Sequence, residues 1–152
     1  MQEVAAVLVI GYDRHPASRA ALVFAGELAG ALNVRLHVVH VVDGNDDAGT
    51  EDLDAERQHV ADALGDVQWT YHRLQGDPAT ALLEAANQHG ALMLIVGRPE
   101  QGISAAIGHI ITGNVARNLL RRSNRPVLIV PEFGAGKTQS QPSDSWPSRL
   151  QK

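Results

Sequence analysis

Five short apolar runs, separated by longer polar and alanine-rich stretches, constrain the fold of this chain more than any other feature of its sequence. Most are nearly continuous rather than alternating, which is typical of parallel strands that helices cover on both faces. Because crossovers between parallel strands are right-handed, the alternation predicts an α/β fold with a doubly wound five-stranded sheet. The predicted strands are Val4–Gly11, Val34–Asp43, Val67–Leu74, Ala91–Gly97 and Arg125–Pro131.

The stretches between these runs carry helix signals. Asp77, Pro78 and Gly90 match the residue preferences for the cap, the first position and the C-terminal end of one helix. Asn33 is an end signal for the helix that precedes it. The third strand partly alternates between apolar and polar residues, which places it nearer the sheet edge. The other predicted helices are Pro16–Leu32, about Thr50 to Leu64, and Gly113–Arg122.

Length and composition limit the remaining possibilities. The 152 residues suit one domain, which we place at residues 1–131. We expect residues 132–152 to form a flexible tail, because they are rich in Ser, Gln, Pro and Gly. A net charge of −4 gives no general attraction for nucleic acid. No run approaches the ~20 apolar residues of a membrane span, no secretory leader is visible, and cysteine is absent, so we expect a cytoplasmic protein.

Three longer segments, by their order and spacing, carry a resemblance to a known protein family. They are "VLVIGYDRHPASRAALVFAGELAGALNVRLHVVHVVD", "GDPATALLEAANQHGALMLIVG" and "GNVARNLLRRSNRPVLIVP". Together they resemble the universal stress protein family over about Val4 to Pro131. The resemblance implies an adenine-nucleotide alpha-hydrolase-like fold with strand order 3-2-1-4-5. It also implies a site at the ends of strands one and four, where the winding reverses.

The resemblance further implies a candidate phosphate site. Many family members bind ATP through a G-x2-G-x9-G-[ST] pattern, whose last pair opens a helix with free backbone NH groups. Gly97 and Gly113 match the first and last glycines by context, whereas Gly102 lies too late to be the second. The loop is about three residues longer than the pattern, and Asn114 replaces Ser or Thr. Pro99 also lacks an NH group to donate.

Each candidate position is carried over from the family individually. Asp13 matches an Asp that contacts the adenosine moiety, although it is also suited to capping the helix near Pro16. Val41 matches a residue whose backbone meets adenine, and Arg98 supplies a cation. The candidate nucleotide-binding positions are Gly11, Asp13, Val41, Val96, Gly97, Arg98, Gly102, Gly113, Asn114 and Val115.

The resemblance therefore implies a regulatory domain in stress response that pairs as a homodimer through strand five and acts on a protein partner. It binds ATP or AMP, with Mg²⁺ accompanying the nucleotide, or it is a nucleotide-free interaction module of the same fold. We see no general base that would activate water, so we expect no enzyme beyond a weak ATPase. A receiver-like phosphorylation switch shares the fold class, but no Lys precedes Lys137 to serve its chemistry.

The histidines are weaker candidates. His37 and His40 lie three residues apart on a predicted strand, so they face opposite sides and make no metal pair. We expect both to be structural. His109, in the glycine-rich loop, is the histidine best placed to approach a phosphate, although we favour a plain surface position in that loop.

Overall fold

The structure is a computed structural model that describes residues 6–13, 16–42, 51–98 and 113–132. Strands and helices alternate along these residues, as the apolar runs predict. The elements are β1 (Val7–Tyr12), α1 (Pro16–Leu32), β2 (Arg35–Val42), α2 (Glu51–Leu64), β3 (Trp69–Gln75), α3 (Pro78–His89), β4 (Ala91–Gly97), α4 (Gly113–Arg122) and β5 (Val127–Val130).

The strands form one parallel sheet in the order β3-β2-β1-β4-β5. β1 lies in the middle, with β2 on one side and β4 on the other. The chain therefore winds outward in one direction through β3 and then reverses through β4 and β5. This confirms the doubly wound fold and its strand order, and it places the partly alternating β3 at one edge.

The helices cover both faces of the sheet. On one face, α3 and α4 pack over a cluster that includes Val9, Val39 and Leu119. On the other face, α1 and α2 pack over a cluster that includes Leu8 and Ile10. Neighbouring residues of β1 thus point to opposite faces and are buried on both, which explains why the run is apolar throughout.

Local signals fix the helix ends as expected. The Asp77 carboxylate accepts a 3.0 Å hydrogen bond from the backbone NH of Thr80, and Pro78 occupies the first turn of α3. Gly90 ends α3 in the left-handed conformation with φ of 62°, and Asn33 takes φ of 55° after α1. None of the helices in the described part of the chain is long and apolar enough to cross a membrane.

Candidate functional site

Asp13 is buried at the carboxyl edge of the sheet, where β1 and β4 end side by side. Asp13 directly follows β1 and is only 6% exposed. Its backbone NH donates a 2.7 Å hydrogen bond to Oγ of Ser18, which is buried in the first turns of α1. Ser18 thereby fixes the backbone that carries the carboxyl group. The sequence alone did not indicate this positioning role of Ser18.

Gly97 stands at the end of β4, where the first turn of α1 lies against the strand. A Cβ atom at this position would lie 2.6 Å from the carbonyl oxygen of Ala17 and 2.9 Å from the backbone nitrogen of Ser18. Real Cβ atoms do not approach backbone so closely, so the packing of α1 on β4 requires a glycine here. Gly97 is thus needed for the close approach of two elements, whether or not a phosphate lies nearby.

Three apolar candidate positions come together on the α3 and α4 face. Val41, Val96 and Val115 belong to one buried cluster, and none exposes more than 7% of its surface. Their side chains are therefore core residues, and only their backbone groups are available to a ligand. Burial of Val115 anchors the start of α4 against the sheet.

The first backbone NH groups of α4 have no partner within the helix, as at any helix N-terminus, and the first turn contains no acidic residue. Gly113 begins the helix, and Asn114 is exposed. Arg98 is exposed beyond β4, while its backbone NH donates a 2.7 Å hydrogen bond to the carbonyl of Val130. The last candidate position, Gly102, lies outside the described residues.

Gly11 lies within β1 opposite Val39 of β2, one residue before the strand ends. The carboxyl edge thus brings Gly11, Asp13 and Gly97 to neighbouring strand ends. His109 and the tail beyond Glu132, like the loop of residues 99–112, lie outside the described residues, so the expectations for them remain predictions.

A buried polar group lies beside this edge, on the α1 and α2 face. His40 and Glu56 are only 5% and 3% exposed, and His40 Nδ1 lies 3.3 Å from Glu56 Oε2. The Tyr71 hydroxyl donates a short hydrogen bond to the same carboxylate oxygen and lies 3.0 Å from His40 Nδ1. Tyr12, which precedes Asp13, places its ring edge-on to His40 at 5.9 Å between centroids. We call these four residues the buried polar cluster.

Within the buried polar cluster, Tyr71 holds its proton strongly. Burial, reinforced by the hydrogen bond to Glu56, raises the pKa of Tyr71 far above its ordinary value of 10.0. The hydroxyl thus remains a donor throughout the physiological pH range. Sequence reasoning missed this cluster because Glu56 lies in a helix whose sequence, "EDLDAERQHVADAL", is mostly polar and gives no sign that one carboxylate faces inward.

A second histidine environment lies on the opposite face of β2. His37, from β2, stacks on His89, the last residue of α3, with ring centroids 4.0 Å apart and planes at 23°. His72, from β3, places Nε2 at 3.3 Å from Nδ1 of His37. Thr70 Oγ1 bonds both His37 Nδ1 and His72 Nε2. We call His37, His72 and His89 the histidine cluster.

The sequence predicted which way His37 faces but did not predict its partners. His37 and His40 do face opposite sides of β2, as their spacing predicts. Their spacing could not show that His37 meets two other histidines from distant parts of the chain. Burial, together with the nearby rings of His89 and His72 and with Arg35, lowers the pKa of His37 from 6.5 to about 4. Burial and His89 likewise lower the pKa of His72.

Together, these observations define a doubly wound α/β domain with a candidate ligand site at the point where its winding reverses. Residues 7–131 match the universal stress protein family. Because that match covers most of the chain, the protein belongs to this family.

Individual relatives agree with this assignment. The chain is 34% identical over 84 residues to the stress response protein NhaX of Bacillus subtilis (strain 168), a match over 53% of this chain and 46% of that protein. The chain therefore spans about half the length of this curated relative.

Solved structures of the family superpose over most of the chain. A universal stress protein in complex with cAMP is 28% identical, with a TM-score of 0.65, and the match covers 86% of this chain and all of that one. A universal stress protein from Archaeoglobus fulgidus is 22% identical, with a TM-score of 0.64 over 82% of this chain and 98% of that one. The second likeness supports the fold alone.

Proposed function

We propose that this protein is a regulatory domain of stress response that binds an adenine nucleotide at the carboxyl ends of β1 and β4. The observation that carries the proposal is the position of Asp13, which is buried where the winding of the sheet reverses. Membership of the family and the likeness to a universal stress protein crystallised in complex with cAMP support the binding of an adenine nucleotide.

In the proposed site, one set of residues contacts the adenosine moiety and another contacts the phosphate. Asp13 contacts the adenosine moiety, and the backbone near Val41 faces the adenine. The N-terminus of α4, which begins at Gly113 without an acidic residue in its first turn, attracts the phosphate through the backbone NH groups of its first turn. Arg98 adds an exposed cation at the end of β4.

We propose further that a nucleotide with one phosphate binds better than ATP. The segment between Gly97 and Gly113 is longer than the family pattern, and Pro99 within it has no NH group. Glu100 adds a negative charge to the sequence of the same segment. AMP or cyclic AMP requires fewer NH donors and carries less charge than ATP.

The test is isothermal titration calorimetry of the full chain with AMP, cyclic AMP and ATP, with and without Mg²⁺. Asp13→Asn removes the buried charge at nearly constant size, and Asp54→Asn removes an exposed charge on α2 as the matched control. We expect binding of AMP or cyclic AMP that Asp13→Asn weakens at least ~10-fold and that the control leaves unchanged. No binding of any of the three nucleotides would identify the nucleotide-free form of the domain.

We also propose that the domain pairs with a second copy through β5 and acts through a protein partner rather than by turnover. β5 is an edge strand of four residues, and Val127, Leu128 and Ile129 are only partly buried in the single chain. An apolar edge strand offers unpaired backbone groups to another chain, and pairing with a second copy would satisfy them. Sedimentation velocity at micromolar concentration should show a dimer, and a monomer alone would contradict this pairing.

A further inference from the structure

The histidine cluster lies far from the proposed nucleotide site. His37 is near the amino end of β2, and His89 ends α3, whose C-terminus lies at the amino edge of the sheet because helix and strands run in opposite directions. His72 lies near both because β3 pairs with β2 in a register that places His72 opposite Val39. Three elements thus converge on one point that the proposed nucleotide function does not use.

The nitrogen atoms of these rings have spacings that suit a metal ion. One ring nitrogen from each histidine lies within 4.8 Å of the other two. His37 Nδ1 and His72 Nε2 are 3.3 Å apart. Two nitrogens bound to one tetrahedral Zn²⁺ at about 2.0–2.1 Å are about 3.3 Å from each other, so this pair already has the separation that the ion requires.

We propose that His37, His72 and His89 form a binding site for a divalent transition-metal ion, for which Zn²⁺ is the natural probe. Imidazole nitrogen suits Zn²⁺, Cu²⁺ and Ni²⁺, whereas Mg²⁺ and Ca²⁺ prefer oxygen ligands. Three protein ligands leave a fourth position open for water, unlike the four protein ligands of a closed structural zinc site. The ion would tie edge strand β3 to β2 and to the end of α3.

One electrostatic feature favours a cation here. The C-terminus of α3 carries the partial negative charge of a helix end, directly beside the His89 ring. Arg35 opposes the ion, but its side chain donates a 3.2 Å hydrogen bond to Gln68 Oε1.

A metal ion can reach the histidine cluster, and the ring of His89 can turn to bind it. A cavity of about 240 Å³, lined in part by His37, Gln68 and Thr70, reaches the cluster. His89 now stacks on His37, so its ring must turn to direct a nitrogen at the shared ion. That rotation is local, because His89 is the last residue of its helix and is only partly buried.

The test is calorimetric titration of ZnCl₂ into the tag-free full chain after removal of metal with a chelator and without nucleotide. We expect one ion per chain, no response to MgCl₂, and a loss of affinity of about tenfold or more in each of His37→Gln, His72→Gln and His89→Gln. His59→Gln is the matched control, because His59 is exposed on α2 on the other face of the sheet.

Two further measurements separate ligation from a purely structural role. His89→Cys supplies a different metal ligand and should recover zinc binding that His89→Gln loses. With Co²⁺, the wild type should show the intense visible absorption of a tetrahedral site, which His37→Gln abolishes. Circular dichroism in chelator confirms that each variant is folded. No zinc binding by the wild type, or equal weakening by His59→Gln, would overturn the proposal.

Discussion

Two histidines of β2, His37 and His40, show how strongly the two faces of one strand can differ. His40 lies under α2, almost fully buried, with a carboxylate and a phenol as its partners. His37 lies under the end of α3, partly exposed, with two other histidines beside it. The strand supplies the same side chain to both faces, so the difference comes from what each helix and neighbouring strand place opposite it.

The partners determine what each ring can do. The side chains around His40 hydrogen-bond one another, and removing one takes a partner from a buried polar atom. Nδ1 of His37 and Nε2 of His72 share the hydroxyl group of Thr70 and lie close enough to each other to bind one external ion. The α2 face therefore uses histidine for stability, and we infer that the α3 face uses it for binding.

The largest difference between the two faces should come from truncating each ring. His40→Ala leaves a cavity and removes a partner of Glu56, so we expect a loss of about 3 kcal/mol in the free energy of unfolding. Urea denaturation at pH 7.5 with chelator measures it. His37→Ala is the comparison, and a loss as large as that of His40→Ala would remove the distinction.

A single hydroxyl group should have the next largest effect. Tyr71→Phe deletes the donor to Glu56 while keeping the ring, and we expect a loss of about 1 to 2 kcal/mol. Thr70→Val deletes the hydroxyl that bonds the exposed side of the histidine cluster and should cost less. The same urea experiment ranks the two, and the reverse order would contradict the assignment of stability to the α2 face.

Acid should destabilise the protein through the α3 face. Because the pKa of His37 is about 4 when folded and 6.5 when unfolded, the unfolded chain binds more protons between these values. Its contribution to stability is present above pH 6.5 and is lost as the pH falls towards 4. In metal-free buffer, His37→Gln should lose less stability over this window than the wild type does, whereas equal slopes would refute the lowered pKa.

The smallest effect should be that of His37→Gln at neutral pH without metal. Glutamine retains a donor and an acceptor for Thr70, and the position is partly exposed, so we expect a change of at most about 0.5 kcal/mol. Thermal unfolding with and without ZnCl₂ then isolates the ion, since only the wild type should gain stability from it. A large loss without metal would assign His37 to the packing of the sheet.

The fold was predictable because its signals are local. Apolar runs buried on both faces mark the strands, and Asp77 and Gly90 mark the ends of α3 through capping and left-handed geometry. The strand order came from the resemblance of ordered segments, since the residues of β1 alone do not show which strands flank it. The resemblance assigned Gly97 to a phosphate contact. The structure adds a second reason for glycine, because the backbone of Ala17 lies too close for a Cβ atom. The sequence alone does not show that Ala17 lies there.

The two histidine environments were not predictable, because they depend on register and helix placement. His37 meets His72 only because β3 pairs with β2 in one particular alignment, and His89 joins them only through the packing of α3. Glu56 is likewise one acid among several in α2, and the rotation of that helix selects it. The two ends of each contact are far apart in the sequence, and neither carries a motif.

The position of β1 also governs the order in which the molecule can be assembled during translation. Val7 lies opposite Arg35 on one side and opposite Ala91 on the other. As the chain leaves the ribosome, β1 can pair early with β2. The other edge of β1 stays unpaired until β4 has been synthesised. All six residues of β1 are buried in the finished sheet. For much of synthesis the future centre of the sheet is thus an open apolar edge, and the nascent chain needs protection from its neighbours until Gly97 has emerged.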